Sequence, residues 1–134
     1  MKIKRADLFY KSNIVNSLIS KEEMENKESK LKYAIQRFNK NVEKIAIKNK
    51  EESEEIMVNL ASEDEKGNLI TNEKGHYSYS KSNEVEKRKK LKQLEDKEDD
   101  FEPYFFKDKE QIAKFDLFVQ EELKGVFFEE TTAE

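Results

Sequence analysis

The sequence predicts a mainly α protein: an elongated antiparallel helical hairpin, coiled-coil-like, with a small β-hairpin at its tip and short flanking N- and C-terminal helices. Three observations carry that expectation. Leu31, Ile35, Phe38, Val42 and Ile45 recur in alternating steps of four and three, the 3.5-residue repeat of a coiled-coil seam. Only 3 Gly and 1 Pro punctuate 134 residues, which leaves little room for a many-stranded sheet and much for long helices. Hydrophobic residues make up 35% and charged residues 42%, a thin supply for a thick core, so narrow helical architecture is favoured over a sphere. Disorder is opposed by 9 Phe and 5 Tyr, more aromatic surface than disordered segments carry.

Met1-Lys2-Ile3-Lys4 reads as a short strand or extended lead-in, followed by a helix over residues 5–19 with Leu8, Val15, Leu18 and Ile19 at helical spacing. Ser20 with Glu23 has the capping-box pattern of a new helix start. The long seam helix is expected over residues 27–61, about 35 residues, and its register passes through polar Asn49 and Glu52 before Ile56 and then Asn59 or Leu60. Leu69-Ile70-Thr71, a tight loop containing Gly75, and His76-Tyr77-Ser78-Tyr79 read as a β-hairpin. Asn83 with Glu86 suggests the cap of a return helix running to Asp99, with Val85, Leu91 and Leu94 facing inward and Pro103 as the stop. Asp108 with Gln111 caps a last helix presenting Ile112, Phe115, Phe118, Val119 and Leu123 on one face, ended by Gly125. The expectation is one domain over residues 1–128, a disordered tail over 129–134, and no internal repeat.

A net charge of −4, the small difference between 26 basic and 30 acidic residues, argues against a dedicated nucleic-acid or anionic-membrane binder. With no Cys, no apolar leader and no run of about 18 apolar residues, the chain is expected to be cytoplasmic and not to span a membrane. The run Lys87-Arg88-Lys89-Lys90-Leu91-Lys92 is followed at once by Glu95-Asp96-Lys97-Glu98-Asp99-Asp100, so it reads as a salt-bridged solvated face rather than a phosphate-binding patch. Around Gly67 the donor spacing of a calcium loop is absent, and Asp64-Glu65-Lys66-Gly67-Asn68 reads as a turn. The single histidine, His76, is placed beside a turn and reads as a strand residue. Gly-rich phosphate loops, nucleophile elbows and paired carboxylates in an apolar cleft are all missing, so no catalytic site, metal or cofactor is expected.

The densest apolar feature is aromatic: Phe101, Tyr104, Phe105, Phe106, Phe115, Phe118, Phe127 and Phe128. Three consecutive aromatics, 104–106, point in different directions in any regular conformation. Core and interface are both open to them, and the interface candidates are Phe38, Val42, Ile45, Phe101, Tyr104, Phe105 and Phe106.

Met1-Lys2-Ile3-Lys4-Arg5-Ala6-Asp7-Leu8, Lys32-Tyr33-Ala34-Ile35, Glu63-Asp64-Glu65-Lys66-Gly67-Asn68-Leu69 and Phe118-Val119-Gln120-Glu121-Glu122-Leu123, in this order, resemble a family of small uncharacterised tailed-phage proteins encoded among virion structural and assembly genes. The family pattern has a proline ahead of the long helix, where this chain has Glu28-Ser29-Lys30. The resemblance implies a non-catalytic phage structural or assembly protein, located in the host cytoplasm or the virion. Its partners would be other phage proteins and itself, as a homo-oligomer or part of a larger assembly, with no specific nucleic acid and no membrane. The alternative is a phage anti-defence protein that binds and blocks a host immune protein.

Overall fold

A computed structural model describes residues 1–130 of the chain. Helices dominate, with one small antiparallel sheet: β1 (Lys2–Lys4), α1 (Arg5–Asn16), α2 (Lys21–Asn26), α3 (Lys30–Leu60), α4 (Lys81–Glu95), β2 (Glu98–Asp100), α5 (Lys109–Ile112) and α6 (Leu117–Glu122). The chain divides into two compact units, one made of Met1–Ile45 with the described residues from Glu98 onward, the other of Ala46–Lys97. Of the expected disordered tail, Glu129 and Glu130 are described, and residues 131–134 lie outside the described residues.

In the first unit, β1 pairs antiparallel with β2 in the register Lys2↔Asp100, Ile3↔Asp99 and Lys4↔Glu98. Strand alternation sends Ile3 and Asp99 inward and the flanking charges out. Arg5, the first residue of α1, is buried with Asp99: its Nε donates to Oδ2 at 2.7 Å and its Nη2 to Oδ1 at 3.3 Å. Such a fork satisfies both charges where water cannot. Leu8 and Val15 continue the inner face of α1, and Leu31, Ala34, Ile35, Phe38, Val42 and Ile45 supply that of α3. The Phe38 ring lies edge-on to Phe101 at 5.5 Å and to Phe127 at 5.6 Å. On the surface, Asn16 and Asn39 exchange reciprocal amide hydrogen bonds at 3.0 and 2.8 Å, tying α1 to α3.

The capping box expected at Ser20 and Glu23 forms in full. At the start of α3 the Ser29 hydroxyl accepts from the Lys32 amide at 3.0 Å and closes the first turn. The helix has 31 residues, slightly fewer than expected.

In the second unit the loop between α3 and α4 corrects the expectation of no repeat. Asp64-Glu65-Lys66-Gly67-Asn68 and Asn72-Glu73-Lys74-Gly75-His76 fold alike. Asp64 Oδ1 accepts from the amides of Lys66 and Asn68 at 2.9 Å each, and Asn72 Oδ1 accepts from those of Lys74 at 2.9 Å and His76 at 3.0 Å. Each turn needs a left-handed residue, met by Gly67 at φ 81° and Gly75 at φ 78°. Isolated bridges Glu63↔Leu69 and Thr71↔Tyr77 stand in place of the two regular hairpin strands. The polar register positions are used inside this unit, with Glu52 bound to Lys97 Nζ at 2.9 and 3.1 Å.

Four further expectations are corrected. The cap of α4 is Ser80, whose hydroxyl accepts from the Asn83 amide at 3.2 Å, while the Asn83 side chain donates to the Leu60 carbonyl at 3.0 Å. The helix stops at Glu95 rather than Asp99, because extended pairing with β1 and the buried contact to Arg5 claim the acidic residues that follow. Val85 faces solvent at 67% exposure, whereas Leu91 and Leu94 are half-buried. The last helix is two short ones, α5 and α6, and the break at residues 113–116 turns Phe118 outward at 59% exposure.

Candidate partner-binding groove

The aromatic connector after β2 has its backbone fixed at intervals along its length. The Phe101 amide donates to the Met1 carbonyl and the Met1 nitrogen to the Phe101 carbonyl, at 2.8 and 2.9 Å. Asn41 Nδ2 donates to the Glu102 carbonyl at 2.8 Å, and the Phe106 amide to the Phe127 carbonyl at 2.8 Å. Pro103, lacking an amide hydrogen, sits between these ties and leaves no donor unmet. Asp108 then caps α5 through the Gln111 amide at 3.2 Å, as its spacing predicts.

These ties sort the connector side chains. Phe101 and Phe106 are buried, and Phe106 stacks on Phe127 with centroids 6.1 Å apart and planes 15° apart. Tyr104 and Phe105 stay half-buried. Tyr104 meets Tyr33 edge-on at 5.7 Å and lies under the Arg37 guanidinium at 5.5 Å. Of the seven interface candidates, Phe38, Val42, Ile45, Phe101 and Phe106 are therefore core of the chain itself, and Tyr104 and Phe105 remain accessible.

A groove of about 1110 Å³ runs past Tyr33, Tyr104 and Phe105, and a second of about 740 Å³ shares Pro103 and Phe105 with it. The rim of the first alternates in sign, with Lys30, Lys107 and Lys109 against Glu28, Asp108 and Glu110. Aromatic surface inside a polar rim is the composition of a protein-binding patch. Among the described residues neither groove holds a nucleophile beside a base with an orienting partner, the minimum for covalent catalysis.

Other sequence candidates fall elsewhere. His76 is exposed and lines a 500 Å³ hollow of the second unit with Glu54, Tyr79, Glu84 and Lys87. There Lys87 Nζ sits 4.3 Å from the Tyr79 ring centre and 3.1 Å from the Glu84 carboxylate. The hydrogen bond from Lys87 holds the Glu84 carboxyl below its ordinary value of about 4.5, with Arg88 adding to the effect. Among the described residues no group of three or more His, Asp or Glu side chains could hold a metal, and no helix is long and apolar enough to cross a membrane. Asp64 serves its turn, as expected.

The buried Arg5–Asp99 pair is not evident from the sequence. Its one sequence signal is that Arg5 lies three residues before Leu8, on the inner face of α1; Asp99 is hidden inside an acidic run that does not read as strand. Comparison of the chain with protein-family models, with curated proteins and with solved structures finds no match.

Proposed function

We propose that this chain is a non-catalytic phage structural or assembly protein that binds another phage protein through the Tyr104–Phe105 groove. The observation that carries the reading is the sorting of the connector: its neighbours Phe101 and Phe106 anchor in the core, while Tyr104 and Phe105 are held half-exposed by fixed backbone over a charged-rimmed groove. Pre-organised aromatics lose little conformational entropy on binding, so they favour a partner segment laid across them. The phage setting rests on the resemblance of the four segments quoted above. The helical-hairpin reading is retained for the second unit, where Leu60 with Asn83 and Glu52 with Lys97 support a return of α4 alongside the later part of α3.

The test is affinity capture from infected cells with the wild-type chain and with a Tyr104→Ser, Phe105→Ser variant, proteins being identified by mass spectrometry. Virion or assembly proteins captured by the wild type and lost with the variant, helicity being retained, support the reading. Capture of a host immune protein instead, with the chain absent from particles and assembly intermediates, would replace it with the anti-defence alternative.

A further inference from the structure

We infer that a second copy of this chain docks on the Ala46–Lys97 unit through two oppositely charged helix stripes, an acidic one on α3 and a basic one on α4. Along α3, Ile47, Glu51, Glu54 and Val58 follow one another in steps of four, three and four; along α4, Lys81, Val85, Arg88 and Lys92 do the same. Residues so spaced share one face of a helix. All eight are exposed, the aliphatic ones at 52% for Ile47, 41% for Val58 and 67% for Val85. The stripes thus match in repeat, oppose in charge and each carry aliphatic positions, which is how one helix selects another.

Four of the five stripe charges are available for such a contact, Arg88 being the one already paired within its own helix. Glu84, the nearest acid to the basic stripe on its own helix, is engaged by Lys87 at 3.1 Å and Arg88 at 3.3 Å. Of the acidic residues that follow the basic run in sequence, Asp99 and Asp100 are engaged away from it, Asp99 with Arg5 at 2.7 Å and Asp100 with Lys2 at 3.2 Å. Among the described residues Lys81, Lys92, Glu51 and Glu54 take part in no ion pair. Each copy carries both halves of the contact, whether the assembly closes as a dimer or continues as a ring.

A phosphate backbone is the competing occupant of the basic stripe. Exposed Val85 in its middle gains nothing from phosphate, and the net charge of −4 opposes long-range attraction to a polyanion. The matching acidic stripe on the same unit has no role in that case. The inference is independent of the connector groove, which lies in the other unit.

Sedimentation velocity of the full chain over a concentration series, at low and high salt, tests it. The expected result is self-association that weakens as salt rises. Glu51→Lys with Glu54→Lys, and separately Arg88→Glu with Lys92→Glu, should each weaken it by at least about tenfold, since like charges then face each other. Mixing the two variants should restore association as a hetero-assembly. Circular dichroism checks that both variants stay helical, and Tyr104→Ser with Phe105→Ser should leave association unchanged. A chain that stays monomeric at the highest attainable concentration overturns the inference. So do a mixture that fails to associate, association lost only in the groove variant, and duplex DNA binding without self-association.

Discussion

The two units are built on different physics. Every residue buried in the described chain belongs to the unit that joins Met1–Ile45 to the segment after Glu98, including the Phe38, Phe101 and Phe127 rings and the Arg5–Asp99 pair. The Ala46–Lys97 unit has none. It rests on local terms instead: the Ser80 cap, the paired turns, the Lys87 contacts with Tyr79 and Glu84, and the Glu52–Lys97 bridge. Surface terms of this kind contribute tenths of a kcal/mol to about 1 kcal/mol each, whereas one large buried side chain contributes several. The same helix, α3, therefore passes from a stretch held by tertiary packing to one held mainly by its own hydrogen bonds.

The largest expected contrast comes from core truncation. Phe38→Ala should cost about 3–5 kcal/mol in denaturant unfolding, and the half-buried Leu91→Ala about 1 kcal/mol or less. Equal losses would remove the distinction between the units. Asp99→Ala strands a buried guanidinium and should cost about 3 kcal/mol or more, while Asp100→Ala, at a pair with side chains 64% and 78% exposed, should cost almost nothing.

Hydrogen exchange sharpens the comparison within one helix. Amides of residues 35–45 should be protected close to the global limit and those of residues 50–60 should exchange faster through local opening. Uniform protection along α3 would show that the second unit draws stability from elsewhere. Gly75→Ala should cost about 1 kcal/mol through strain at φ 78°, since open space around the position leaves no steric term.

The smallest effect is acid-dependent. Because the folded-state pKa of Glu84 is lowered, chiefly by the Lys87 hydrogen bond, its contribution is present above the ordinary value of about 4.5 and is lost as pH falls through the depressed one. Glu84→Gln should flatten the acid limb of a thermal-stability profile only slightly, the group being solvent-accessible.

Legibility in the sequence followed how local the determining interaction is. The Ser20–Glu23 box, the Asp108 cap and the buried helix face from Leu31 to Ile45 are set by residues a few positions apart, and they are readable. The strand Glu98–Asp100 was not, because three acidic residues have poor strand propensity and only pairing with β1, nearly a hundred residues away in sequence, makes them extended. The paired turns escaped because their shared pattern is a five-residue motif in which Asp and Asn exchange, a similarity of hydrogen-bonding role rather than of identity. For the groove, the aromatic run 101–106 flagged the segment, but which rings stay accessible depended on backbone ties to Met1, Asn41 and Phe127.

The Arg5–Asp99 pair also sets an order on synthesis. Its partners are 94 residues apart, so at roughly 5–20 residues per second the ribosome needs roughly 5–20 s to deliver Asp99 after Arg5. Throughout that interval β1 has no strand to pair with, and Phe38 lacks Phe101 and Phe127. The contiguous Ala46–Lys97 unit is complete two residues before Asp99 and thirty before Phe127, so the part of the protein with the fewest buried contacts is the first able to form, and the aromatic core is the last.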